Sequence, residues 1–255
     1  MPKFAANLTM MFSEWEFLDR FGAAADAGFT AVEYLFPYAF PADAIAERLR
    51  KHGLKQVLFN LPPGNWEAGE RGLSALPERA ADFAASLATA IPYAAATGVR
   101  RVHLMSGVAD RRSPAVLAAY RTALQRACEL FGAKGVEVII EPLNPRDMPG
   151  YLLNDFGFAA DLIAESKLPN LKLQYDIYHR QILHGDVLKS LDALLPIIGH
   201  IQVAAVPKRH EPGSGELNDV AIFRHLDHIG YSGFVGCEYR PAAGTLAGLG
   251  WMSGV

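Results

Sequence analysis

The chain has little cysteine: two residues in 255, Cys128 and Cys237, far apart in the sequence. Two distant thiols do not make a disulfide framework, which excludes the small stapled secreted domains. Positive charge is not in excess either. Lys and Arg number 24 against 27 Asp and Glu, a net charge of −3, and the basic residues are dispersed. A nucleic-acid partner would call for a basic stripe, so none is expected. Long apolar runs are missing. The least polar stretch, "FAASLATAIPYAAATGV" (83–99), is mostly Ala, Ser and Thr around Pro92, and reads as a buried helix rather than a membrane span. The opening "MPKFAANLTMMF" is too short, and too polar at Asn7, for a secretory h-region. A cytoplasmic location is the default expectation. Finally, "ANLTMMFSEW" (6–15) contains no glycine, so the phosphate loop that opens a dinucleotide-binding sheet is absent.

What remains is ordinary globular material, 51% apolar and 20% charged. Eight short apolar runs alternate with helix-length segments: 4–10, 31–36, 56–61, 101–106, 137–143, 171–177, 200–206 and 234–239. Gly28, Gly53, Gly98, Gly135 and Gly230 stand where helices would end before the next run, the position where glycine tolerates a left-handed backbone. Asn154 or Asp155 is placed to cap the helix after the fifth run. Eight alternations without a linker or repeat tract predict a parallel α/β protein, and one (β/α)8 TIM barrel over residues 1–255 fits count and length best. An open doubly wound sheet is the alternative. The end, "PAAGTLAGLGWMSGV", is short and Gly-rich. The last helix is therefore expected to be brief, and a neighbouring subunit in a homo-oligomer is one way to complete it.

Barrel enzymes carry their chemistry at the C-terminal ends of the strands. Runs five to eight end in or near Glu141, Asp176, Gln202 and Glu238. One polar residue at a strand end can simply reach solvent. Three carboxylates converging on one mouth repel one another, and a divalent cation relieves that repulsion. The four side chains all offer oxygen, which suits Mg²⁺ or Mn²⁺ better than zinc.

The segments "IIEPLN", "QYDIYHRQ", "HIQVAAVPKRHEPGSGELN" and "GYSGFVGCEYRP" closely resemble the hydroxypyruvate isomerase family, part of the xylose-isomerase-like superfamily of barrels. The likeness runs from "FAANLTMMF" to "PAAGTLAGLGW". It implies a divalent metal held by Glu141, Asp176, Gln202 and Glu238, with Glu141 and Glu238 doubling as the acid/base pair. It also implies a small hydroxy-oxo acid substrate, either hydroxypyruvate or 2-oxotetronate, isomerised through an enediolate. In related ketose 3-epimerases the strand-seven ligand is usually His, so Gln202 favours the isomerase branch. A neutral-sugar epimerase, a His-rich multi-zinc endonuclease and a non-catalytic binding barrel are the competing readings.

A carboxylate substrate needs a cation. Arg209 and Lys208, just past strand seven, are the nearest, with His179 three residues after Asp176. Lys208 also fits a solvated loop charge. Asn7 and Glu33 share the same barrel end and either touch substrate or complete a hydrogen-bond network. His103 reads as a satisfied core histidine. Tyr34, Phe36, Phe59, Trp66 and Trp251 are pocket-roof or packing aromatics. The loop "PPGNWEAGERGLS" (62–74) and the turn "EPGSGE" (211–216) are candidate covers of the mouth.

Overall fold

A computed structural model describes residues 2–254. Eight strands form a closed parallel barrel in chain order: β1 (Lys3–Asn7), β2 (Ala31–Tyr34), β3 (Lys55–Asn60), β4 (Arg101–His103), β5 (Glu137–Ile140), β6 (Leu171–Asp176), β7 (Ile198–Val203) and β8 (Phe234–Cys237). Helices cover them outside: α1 (Arg20–Asp26), α2 (Ala42–His52), α3 (Ala80–Thr97), α4 (Pro114–Gly132), α5 (Phe156–Ser166), α6 (Ile177–Leu183), α7 (Val187–Leu194) and α8 (Asp219–His228). The expected TIM barrel is therefore present, and the open sheet is not. Among the described residues, β8 is followed by a 3-10 segment, Leu246–Gly254, and by no α-helix.

The predicted runs are mostly longer than the strands. Run 137–143 ends at Ile140 because Pro142 has no N–H to give a ladder. The helix ends were read correctly: Gly28, Gly53, Gly98, Gly135 and Gly230 all have positive φ, from 64° to 93°. Asp155 is the cap of α5, its carboxylate accepting the Phe158 N–H at 2.6 Å. The segment 83–99 is not a buried helix. It belongs to α3, whose buried positions Phe83, Ser86, Leu87, Ala90 and Ala94 make one stripe, with exposed residues between. That is the pattern of a helix lying on a barrel wall. Among the described residues, no helix is long and apolar enough to cross a membrane.

Alternation along the strands sorts the core into two parts. Val138, Ile140, Leu171, Leu173 and Tyr175 join the large apolar layer between strands and helices. Ala5, Ala31, Val57, Leu58 and Ile139 form a separate small cluster. We take this cluster as the floor of the barrel interior. Side chains two residues further along a strand point the same way. Ala5 is thus followed by Asn7, Ala31 by Glu33 and Ile139 by Glu141. The same step joins Gln174 to Asp176, His200 to Gln202 and Gly236 to Glu238. An apolar floor carries polar layers that rise to the C-terminal mouth. Register breaks fall at Val32/Glu33 and Leu173/Gln174, and such irregularities re-aim the side chains beside them.

Candidate active site

The upper layer gathers the carboxylates. Glu141 lies just past β5, Asp176 ends β6, and Glu238 lies just past β8; each is at most 7% exposed. Burial drives their proton affinities up. Glu141 is pushed well above the usual carboxylate range by burial first, then by the charges of Glu238 and Asp176. Burial also raises Glu238 to about 8 and Asp176 to about 6, against the opposing effect of Arg209. Arg209 is their counter-charge. Its guanidinium is 2.7 Å from Glu238 and 3.6 Å from both Asp176 and Asp147, and it lies over the Tyr178 ring. Burial alone would weaken its hold on its proton, but Glu238, Asp176, Glu141 and Asp147 outweigh that. The loop bearing Arg209 is fixed. The Arg209 backbone is left-handed at φ 56°, its N–H donates to Ala205 O at 2.8 Å, and its carbonyl accepts from Arg240 N–H at 2.9 Å. Further along the loop, Gly213 N–H donates to Asp219 at 2.6 Å.

Several buried polar atoms here lack a hydrogen-bond partner: Glu141 Oε1, Asp176 Oδ2, Gln174 Oε1 and both ring nitrogens of His103. A buried polar atom without a partner is costly. His103 is therefore not the satisfied core residue expected. It ends β4 with Nδ1 3.7 Å from Glu141, and burial pushes its imidazole down to about 3, so it is neutral. Orphaned oxygens among mutually repelling carboxylates are what a hard divalent cation satisfies. The residues fit such an ion.

Glu141, Asp176 and His179 each offer a ligand atom within 4.8 Å of the others. The protonation of His179 decides its role. Its Nδ1 faces the backbone N–H of Asn144 at 3.1 Å and the Asn144 side-chain amide nitrogen at 2.7 Å. That amide cannot flip, because its oxygen accepts from Arg146 N–H and Asp147 N–H. A backbone N–H only donates, so Nδ1 must be bare and Nε2 must carry the proton. A protonated Nε2 does not ligate a metal. His179 is instead a buried N–H donor, 3.6 Å from Asp176.

Beneath the carboxylates lies a second cluster centred on Glu33, which is fully buried. It accepts from Asn7 Nδ2 at 3.0 Å and Gln202 Nε2 at 2.7 Å, and pairs with His200 Nε2 at 2.6 Å. Gln202 gives its N–H to Glu33 and so turns its amide oxygen the other way, where it accepts from Gln174 Nε2 at 2.5 Å. Gln174 also acts to lower the proton affinity of Glu141, against the larger effect of burial. This chain fixes which atom Gln202 offers to the mouth. The Asn7 amide is committed to Glu33 and, through Oδ1, to Thr9 N–H. The structure thus places Asn7 in the network, not at the pocket surface. Lys208 is exposed, the solvated position weighed for it above. His200 and Gln174 escaped the sequence reading, although each stands two residues before a candidate ligand on the same face of its strand.

Gly236 makes the room. A Cβ there would run into the Glu33 carboxylate. Gly236→Ala is expected to displace Glu33 and loosen Gln202, lowering kcat/KM by about 10–100-fold while leaving a folded barrel. Kinetics alongside a thermal melt check this.

The chain matches the family model described as xylose isomerase-like TIM barrel over residues 21–254. It is 52% identical to a 2-oxo-tetronate isomerase of Cupriavidus necator over 99% of this chain and 98% of that one. It is 39% identical to a hydroxypyruvate isomerase of Escherichia coli over the same shares. Its fold superposes with a TM-score of 0.96 on the crystal structure of an AP endonuclease, family 2, from Brucella melitensis, at 44% identity over 100% of this chain and 99% of that one. The chain belongs to the xylose isomerase-like TIM barrel family, and within it to the isomerases.

Proposed function

We propose that the enzyme isomerises a small hydroxy-oxo acid, moving the carbonyl between C2 and C3, with 2-oxotetronate preferred over hydroxypyruvate. The observation that carries this is the set of buried carboxylates with orphaned oxygens at the barrel mouth. The choice of acid is supported by the higher identity to the 2-oxo-tetronate relative. The working unit is one barrel domain spanning 1–255.

Glu141, Asp176, Gln202 and Glu238 would hold the cation, Mg²⁺ or Mn²⁺. Gln202 contributes the oxygen that Glu33 turns upward; one of its lone pairs is used by Gln174 and the other is free. When bound, the ion supplies Lewis-acid stabilisation of negative charge on the substrate oxygens. The protein's own residues do the rest. One of the two glutamates takes the proton from the carbon beside the carbonyl, giving an enediolate. The other returns a proton to the former carbonyl carbon, and a hydroxyl proton passes between the two oxygens. A base must be ionised and an acid protonated when they act; burial raises the proton affinity of both glutamates, that of Glu238 to about 8, which favours the protonated acid form before the cation binds. His179 Nε2–H is placed to donate to a substrate oxygen. Arg209 opposes the effect of burial on Glu238 and orients it through a 2.7 Å hydrogen bond.

An endonuclease reading would need a His-rich multi-zinc site. Among the described residues the one group of three close ligand side chains contains a single His, and that His is a donor. The test is kinetic. With Mg²⁺ or Mn²⁺, kcat/KM for 2-oxotetronate is expected to exceed that for hydroxypyruvate by at least tenfold. Turnover of neither acid would redirect the assignment to neutral ketoses.

A further inference from the structure

The barrel mouth has two halves. The carboxylates stand on β5 to β8. Across from them a cleft of about 460 Å³ opens beyond β1, β2 and β3 and reaches the loop after β8. It is lined by Phe36 and Trp66, two of the aromatics named above as pocket-roof candidates, and by none of the carboxylates. Phe36 and Trp66 form one wall, their rings 5.2 Å apart. Trp66 is backed by the Arg71 guanidinium 3.9 Å over its ring, and Arg71 also donates to the Trp66 carbonyl at 2.8 Å. Thr9 and Ser13 are on the side of β1. No carboxylate lines the cleft, and its one charged residue is Arg240.

A substrate carboxylate needs a cation that is not already spent. Arg209 is spent: Glu238, Asp176 and Asp147 surround it, and turning it to a substrate would leave Glu238 buried without its partner. Arg240 differs in each respect. It is exposed and forms no ion pair with any described residue. It lies two residues past Glu238 in the loop after β8. Its backbone is pinned by the bond to the Arg209 carbonyl and by its own carbonyl against His210 Nδ1 at 2.8 Å. The stem is held while the guanidinium is free. An Arg can grip a carboxylate through two parallel hydrogen bonds, and the Phe36 and Trp66 rings wall the same cleft.

We propose that Arg240, at the Phe36–Trp66 cleft, binds the carboxylate of the substrate. This rests on the function proposed above and deepens it: the acid end lies in the β1–β3 half, and the reacting carbons lie over Glu141 and Glu238. The assignment of the acid end thereby moves from Arg209 and Lys208 to Arg240.

The experiment compares wild type, Arg240→Met and Arg240→Lys. KM for the oxo acid is expected to rise about 10–100-fold in Arg240→Met, with most of the loss in KM rather than kcat, and to recover in part in Arg240→Lys. Calorimetry with glycerate, a hydroxy acid that is not turned over, is expected to show the same weakening. An unchanged KM, or glycerate binding that ignores Arg240, overturns the assignment. If wild type turns over neither oxo acid, the proposed function falls, while glycerate binding still judges Arg240. No glycerate binding by wild type overturns it as well.

Discussion

Glu141→Gln is expected to lower kcat/KM by about 10³–10⁴-fold with the barrel intact. Proton transfer by a positioned carboxylate is typically worth about 10²–10⁴-fold, and Glu141 is also expected to hold the cation, so the upper part of that range applies. The substitution keeps shape and removes an ionisable group whose charged form burial, Glu238 and Asp176 all disfavour. The Tm of the metal-free variant is therefore expected to equal or exceed that of wild type. Steady-state kinetics and a melt on the same sample test both halves. A loss below tenfold would remove Glu141 from the chemistry, and a collapsed Tm would make it structural.

The second large effect is on stability against pH. Asp176 and Glu238 have folded-state proton affinities raised to about 6 and about 8, from ordinary values of 3.8 and 4.5. A group whose folded pKa is raised stabilises the fold fully below its unfolded pKa, and that contribution is lost as pH rises through the folded value. From these two groups, the metal-free protein loses stability between about pH 4 and pH 8. Each tenfold change in proton affinity is worth about 1.4 kcal/mol, so the two shifts together correspond to a loss on the order of 8 kcal/mol. A divalent cation competes with those protons, so Mn²⁺ is expected to raise Tm most at pH 8 and least near pH 5. Melts across pH with and without Mn²⁺ read this directly. A Tm increment that does not depend on pH would contradict it.

Much of this was legible in the sequence because it rests on local rules. Strand-length apolar runs, glycines at helix ends and the Asp155 cap all report backbone chemistry. Glu141, Asp176 and Glu238 stood out because each breaks an apolar pattern at the mouth of a barrel. What was not legible depends on the closing of the barrel. Glu33 on β2 meets His200 and Gln202 on β7, 167 and 169 residues away, across the barrel interior. The reason for Gly236 appears only once Glu33 points at it. The protonation of His179 follows from Asn144, 35 residues before it. Spacing in one sequence does not encode those meetings, although the two-residue step from His200 to Gln202 marked a shared face.

The most direct measurement is NMR of 2-oxotetronate in D₂O with the wild-type enzyme and Mn²⁺ removed before acquisition by chelation. Conversion to 3-oxotetronate with deuterium entering at the carbon that gains hydrogen, and neither event with Glu141→Gln, is the expected result. Conversion without deuterium, or full exchange in the Glu141→Gln and Glu238→Gln variants alike, would contradict proton transfer by these glutamates.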